Sequence, residues 1–268
     1  MGSWLFTGHC AIPLSCSKWT SGCASCPHKR WYPSSFVFSR AEKNYQLKQE
    51  LLKPISNITI VTPSNYMNSK VSKSFLNNHR IITINNGIDS KIFKRKLSFF
   101  RKKYNLCDKK IILCITNIWS ETKGLRDIIK LEKILSSNEI IVVVGKTNMK
   151  FKNKKIVHIN QTNSLSELVD IYSACDVMFN SSQFDNYPTV NIEALSCGCP
   201  VIAYDSGGSS EIIDKRFSAP VGDIEAVYKL IKKIFYENID YEFPKEEDIS
   251  KENMLSKYIS LINESKNS

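Results

Sequence analysis

Asp185, Glu193 and Glu211 fall within one stretch, FNSSQFDNYPTVNIEALSCGCPVIAYDSGGSSEII (179–213), and Gly207 and Gly208 sit just ahead of the last of them. Upstream, Lys123 precedes Gly124, and Gly145 precedes Lys146. Ionised carboxylates accept hydrogen bonds from ribose and sugar hydroxyls, while lysines and free helix-end amides hold phosphate. Glycines let the backbone approach a ligand closely. Together these residue types supply what a nucleotide sugar requires. Each alone reads as an ordinary turn or a surface carboxylate, so their joint placement has to carry the argument.

Short β-branched runs alternate with amphipathic helical segments through most of the chain. The runs NITIVT (57–62), RIITI (80–84), KIILCIT (110–116), EIIVVVG (139–145), KIVHI (155–159), DVMFN (176–180) and PVIAY (200–204) read as strands. Several are apolar throughout, the pattern of strands covered on both faces. Helices are expected over 40–53, 124–137, 164–175, opened by a Ser164/Glu167 capping box, and 188–197, with Pro188 at its start and Gly198 past its end. Such alternation means an α/β fold with a parallel, doubly wound sheet, in which ligands bind beyond the carboxyl ends of the strands. Lys123, Gly145–Lys146, Asp185 and Gly207–Gly208 all follow such ends, and a helix beginning at the paired glycines would offer unpaired N–H groups to an anion.

Residues 1–56 contain four cysteines and little strand signal, and NNGIDSKIFKRK (85–96) reads as a linker. The expected division is a partial N-terminal domain over 1–94 and a complete C-terminal domain over 95–268, whose last helix packs back on the N-terminal part. Cys10, Cys16, Cys23 and Cys26, with His9 and His28 beside them, read either as a structural zinc site or as reduced thiols; Cys23 and Cys26 have metal-ligand spacing. Lys and Arg outnumber Asp and Glu by 37 to 26, a net charge of +11. Much of the excess lies in 91–110 and 146–155, which read as solvated lysine faces or, through Phe99 and Phe100, as a peripheral contact with anionic membrane. A zinc-containing nucleic-acid-binding protein is the alternative from another class, disfavoured because no strand interleaves aromatic and basic residues. No apolar run approaches the roughly 18–20 residues that span a bilayer, and MGSWLFTGHC lacks a charged segment followed by a long apolar one, so a cytoplasmic chain is expected.

The run D-N-Y-P-T-V-N-I-E-A-L-S-C-G-C-P-V-I-A-Y-D-S-G-G-S-S-E resembles the donor domain of retaining glycosyltransferases of the GT-B fold, family GT4, with its two acids separated by seven residues, its EA(M/L)xxGxPVI and its GGxxE. TPSNYM (62–67), NNGIDSKIF (85–93) and SETKGLRDI (120–128) resemble further segments of that family in the expected order. The resemblance implies a GT-B fold and transfer of a hexosyl group from a UDP- or GDP-sugar to a glycan or lipid-linked acceptor, with retention. It implies ribose binding by Glu193, donor-sugar contact by Asp185, where the family has Glu, and a diphosphate held by Lys123. Asn186, Tyr187, Pro188, Thr189, Gly145, Gly207, Gly208 and Glu211 would complete the donor site. Many members carry an arginine about five residues before the lysine; Ile118 stands there here, leaving Lys146 as the substitute cation. The family requires no metal cofactor for this chemistry, and the chain has no D-x-D motif.

TGHCAIPLSCSKWTSGCASCP (7–27) resembles a segment found in the middle of the N-terminal, acceptor-binding domain of a bacterial GT4 subgroup that builds capsule, exopolysaccharide or O-antigen. On that resemblance the chain is expected to be N-terminally truncated, either an active enzyme at the inner face of the cell membrane or an inactive nucleotide-sugar-binding remnant.

Overall fold

The computed structural model describes residues 3–13, 16–28, 38–151 and 154–266. They divide into two compact units, Met1–Asn85 and Asn86–Ser268.

In the first unit, 3₁₀ turns at Ser3–Leu5 and Lys18–Thr20 precede α1 (Ala41–Leu52), β1 (Thr59–Thr62), α2 (Asn65–Val71) and β2 (Arg80–Thr83). The two strands pair in parallel with Thr59 opposite Arg80, and α2 is the crossover between them. Ser64 starts that helix by accepting the Met67 amide on its side chain, one of the four donors a helix start leaves unpaired. Phe6, Trp19, Tyr45, Ile60, Met67 and Leu76 form the core. The strand-poor reading of this region therefore corresponds to a two-stranded sheet.

The second unit contains α3 (Phe100–Lys103), β3 (Lys110–Ile118), α4 (Leu125–Ile134), β4 (Glu139–Lys146), β5 (Ile156–Ile159), α5 (Leu165–Ala174) and β6 (Val177–Asn180), followed by α6 (Thr189–Ser196), β7 (Val201–Tyr204), β8 (Ser218–Ala219), α7 (Ile224–Tyr236), α8 (Glu246–Ile249) and α9 (Lys251–Lys266). Its six strands lie in the order β5-β4-β3-β6-β7-β8, and every pair is parallel. The chain runs outward from β3 to β5, then returns to place β6 on the other side of β3. This reversal between β3 and β6 is the place where a doubly wound sheet binds ligands. The all-apolar reading of the strands follows from their burial: β4 is buried from Glu139 to Gly145, and β6 and β7 throughout.

Three expectations are corrected. The segment over 85–96 is not a free linker: the Ile88 amide donates to Ile249 O at 2.9 Å, and the Lys251 amide donates to Ile88 O at 2.7 Å. Gly87 packs against the Ser250 carbonyl so closely that a Cβ would stand 2.3 Å from it. These bonds tie 86–94 to the turn between α8 and α9, so the compact units divide after Asn85 rather than near residue 94. No helix begins at Gly207–Gly208; successive turns run to a 3₁₀ turn at Lys215–Phe217. Phe100 is 3% exposed and belongs to the core, whereas Phe99 is 69% exposed.

Helix α7 escaped the sequence reading although Ile224, Val227, Ile231 and Phe235, at helical spacing, are all buried and Asp223 caps it. The two-residue β8 offers no periodicity to read. Among the described residues no helix is long and apolar enough to cross a membrane.

Candidate functional site

The loop after β3 and the loop after β6 are joined by backbone contacts. The Gln183 amide donates to Thr122 O at 2.9 Å, and Ser181 Oγ donates to Lys123 O at 2.8 Å. Gly124, with φ +76°, ends the 3₁₀ turn Glu121–Lys123 so close to Ser181 that a Cβ would lie 2.0 Å from its carbonyl oxygen. Only glycine fits both the left-handed backbone and that approach. The consequence is chemical: Lys123 Nζ comes within 2.9 Å of Asp185 Oδ2. Asp185 uses its other oxygen, Oδ1, to accept the Asn186 amide at 2.9 Å.

Glu193 projects from the second turn of α6 and accepts a hydrogen bond from the Tyr172 hydroxyl at 2.9 Å. Burial pushes its carboxyl above the usual range, opposed by hydrogen bonds from Tyr172 and Thr189. On the far side of α6, Asn191 is fully buried, accepting from Asn180 Nδ2 at 2.8 Å and donating to Ser209 O at 3.0 Å. It ties β6, α6 and the glycine loop together.

The end of β4 forms the opposite wall. The Trp119 amide donates to Lys146 O and its indole N–H to Val144 O, while a register irregularity between Ile115 and Ile118 carries β3 across β4. Gly145, with φ +128°, lies beneath this crossing, where a Cβ would meet Thr116 O at 2.0 Å. Ile118 and Lys146 are register partners, so the exposed lysine stands beside the position at which the resemblance expects an arginine.

These walls enclose one cavity of about 680 Å³, a volume suited to a small-molecule ligand. Lys123, Asp185 and Glu193 all line it, with Gly145, Lys146, Tyr187, Pro188 and Thr189. Asn186, Gly207, Gly208 and Glu211 do not. Gly207, at φ +61°, instead lets its loop pass under Asp185, whose carbonyl oxygen would lie 2.1 Å from a Cβ there. The Gly208 amide already donates to that carbonyl at 2.9 Å and is not available to an anion. Glu211 acts on Tyr187, whose hydroxyl is pushed up by burial and then by the Glu211 and Asp248 carboxylates. Sequence reasoning missed Trp119, Asn160, Gln161, Thr162 and Tyr172. The polar run 160–162 directly follows β5 and was readable by the same strand-end rule; Tyr172, in the middle of α5, carried no such signal.

Cys10, Cys16, Cys23 and Cys26 meet around a separate apolar cavity of about 10 Å³ in the first unit. The Gly8 amide donates to Cys23 Sγ at 3.2 Å, and burial pushes the Cys10 thiol up to about 12, aided by the neighbouring cysteines. Among the described residues no group of three or more His, Cys, Asp or Glu side chains is placed to hold a metal ion.

The parallel doubly wound fold is shared with solved structures of other proteins. Sucrose-phosphate synthase from Thermosynechococcus elongatus superposes with a TM-score of 0.71 at 17% identity, over 87% of this chain and 64% of that one. HepE of Anabaena in complex with UDP-glucose gives 0.67 at 14% identity, over 85% and 68%. These likenesses define a GT-B type α/β fold. The family model described as glycosyl transferases group 1 matches residues 98–253, more than half of the chain, and the chain belongs to that family. WcaC of Escherichia coli strain K12, named as a colanic acid biosynthesis glycosyl transferase, is 26% identical over 231 residues, 85% of this chain and 56% of that protein. The chain thus spans little more than half the length of this curated relative.

Proposed function

We propose that the cavity is the donor site of a cytoplasmic, retaining, GT4-type hexosyltransferase that passes a sugar from a UDP- or GDP-sugar to a glycan or lipid-linked acceptor in surface-polysaccharide synthesis. The convergence of Lys123, Asp185 and Glu193 on one strand-end cavity carries this reading. The complex of HepE with UDP-glucose and the name of WcaC favour a UDP-sugar and polysaccharide synthesis respectively.

Breaking the bond between the sugar's anomeric carbon and the diphosphate places negative charge on the departing oxygen and positive charge on the sugar ring. Lys123 is positioned to neutralise the former, aided by Lys146 across the β3–β4 register, and Asp185 to face the latter. These lysines supply the charge that a divalent metal would otherwise bring. Glu193 accepts from the ribose hydroxyls while Tyr172 holds it in place. The Lys123–Asp185 pair is about one-third exposed on each side and is worth no more than about 1 kcal/mol. A diphosphate offers Lys123 charge-assisted hydrogen bonds of about 1.5–3 kcal/mol each, so donor binding opens the pair and frees Asp185 for the sugar.

Calorimetric titration with UDP, GDP and their sugars tests the assignment. Lys123→Ala should weaken UDP binding and lower any transfer rate by roughly 10²–10³-fold. A folded wild-type chain that binds no nucleotide, or Lys123→Ala with wild-type affinity, refutes it.

A further inference from the structure

Residues 91–103 carry seven cations, and no Asp or Glu lies between Asp89 and Asp108. This segment runs along α5 with alternating contacts. The Lys96 amide donates to Ser173 Oγ and Ser98 Oγ donates to Asp170 O, both toward the helix. Between and after them Leu97 is 83% exposed and Phe99 69%, the period-two alternation of extended chain, and Phe93 and Phe100 turn into the core. The local ion pairs leave most of the charge outward. Arg101 is held by Asp176 at 2.7 Å and Lys103 stands 3.9 Å from Glu167, while Lys91, Lys94 and Lys102 are exposed.

We propose that this segment is a membrane-docking edge, seating Leu97 and Phe99 at the acyl boundary of an anionic leaflet with Lys91, Lys94 and Lys102 on its headgroups. The pairing of an aliphatic and an aromatic anchor with unopposed cations is the chemistry of an interfacial lipid contact; leucine offers a nucleic acid no stacking face. The placement has a functional consequence. Lys96 Nζ donates to Ser166 in the first turn of α5, and the loop just ahead of that helix, 160–162, lines the donor cavity. The edge therefore flanks the cavity within one compact unit, suiting an acceptor presented on a lipid. The surface argument stands without the donor-site reading.

Co-sedimentation of the full chain with vesicles of phosphatidylcholine alone, and of phosphatidylcholine mixed with phosphatidylglycerol, tests it. Binding should occur only to the mixed vesicles and be lost at high salt. The double variants Leu97→Ser/Phe99→Ser and Lys94→Glu/Lys102→Glu should each lower the partition coefficient by about tenfold or more, with an unchanged melting temperature because all four side chains are exposed. Absence of vesicle binding, equal binding to both vesicle types, or wild-type binding by both variants overturns the proposal. Retention of a single-stranded RNA oligonucleotide without vesicle binding also overturns it and marks a nucleic-acid face. UDP titration of the same samples reports separately on the donor site.

Discussion

At the residue scale, Glu193 joins a cost to a use. Burial raises its carboxyl pKa, so the folded chain holds the proton more tightly than the unfolded chain does. Stability contributed by the protonated form is present at low pH and is lost as pH rises through the raised value. Glu193→Gln removes that penalty. The variant should melt at a higher temperature than the wild type at neutral pH, with the difference shrinking toward about pH 4, where both side chains are neutral. An amide oxygen accepts ribose hydroxyls less strongly than a carboxylate, so UDP affinity should fall roughly ten- to a hundredfold. A variant less stable at neutral pH and equally tight for UDP would show that the carboxylate is structural.

At the scale of elements, the site is built by backbone contacts that glycine permits. Gly207 and Gly222 both have positive φ, at +61° and +82°, but only Gly207 has backbone within reach of an added Cβ. Gly222→Ala should cost about 1 kcal/mol for the left-handed conformation alone and leave UDP binding intact. Gly207→Ala must also displace Asp185, and should cost about 2 kcal/mol or more with a measurable loss of UDP affinity. Chemical denaturation and titration of both variants separate backbone strain from site geometry. The opposite end of the sheet is fastened by charge. Burial would push the Glu139 carboxyl up, but the Ser136 amide, the Tyr228 and Tyr236 hydroxyls and Lys232 hold it below the usual range. This ties β4 to α7, and Glu139→Ala should destabilise the chain by roughly 3 kcal/mol in a denaturant titration.

At the scale of the whole molecule, the two compact units each possess their own apolar core. Among the described residues, those that line the candidate donor cavity all belong to the second unit, from Ile115 to Glu193. A fragment of residues 86–268 should therefore unfold cooperatively on heating and bind UDP with the affinity of the full chain. A fragment without a cooperative transition would mean that the first unit completes the core of the second.

Every strand but the two-residue β8, the parallel sheet and the place of Lys123 and Asp185 just beyond strand ends were legible in the sequence alone, because buried parallel strands are apolar and the strand–helix alternation fixes where their carboxyl ends fall. The Asp185/Glu193 spacing also carried the resemblance to a family. Tertiary structure decided what depends on distant partners. It brought Lys123 onto Asp185 across 62 residues, put Tyr172 behind Glu193, spent the Gly208 amide on a backbone carbonyl and turned Phe100 inward while leaving Phe99 outside. Local periodicity reports which face of an element is buried. Which atoms meet there depends on the crossing of loops from separate strands, and no local pattern of residues encodes that crossing.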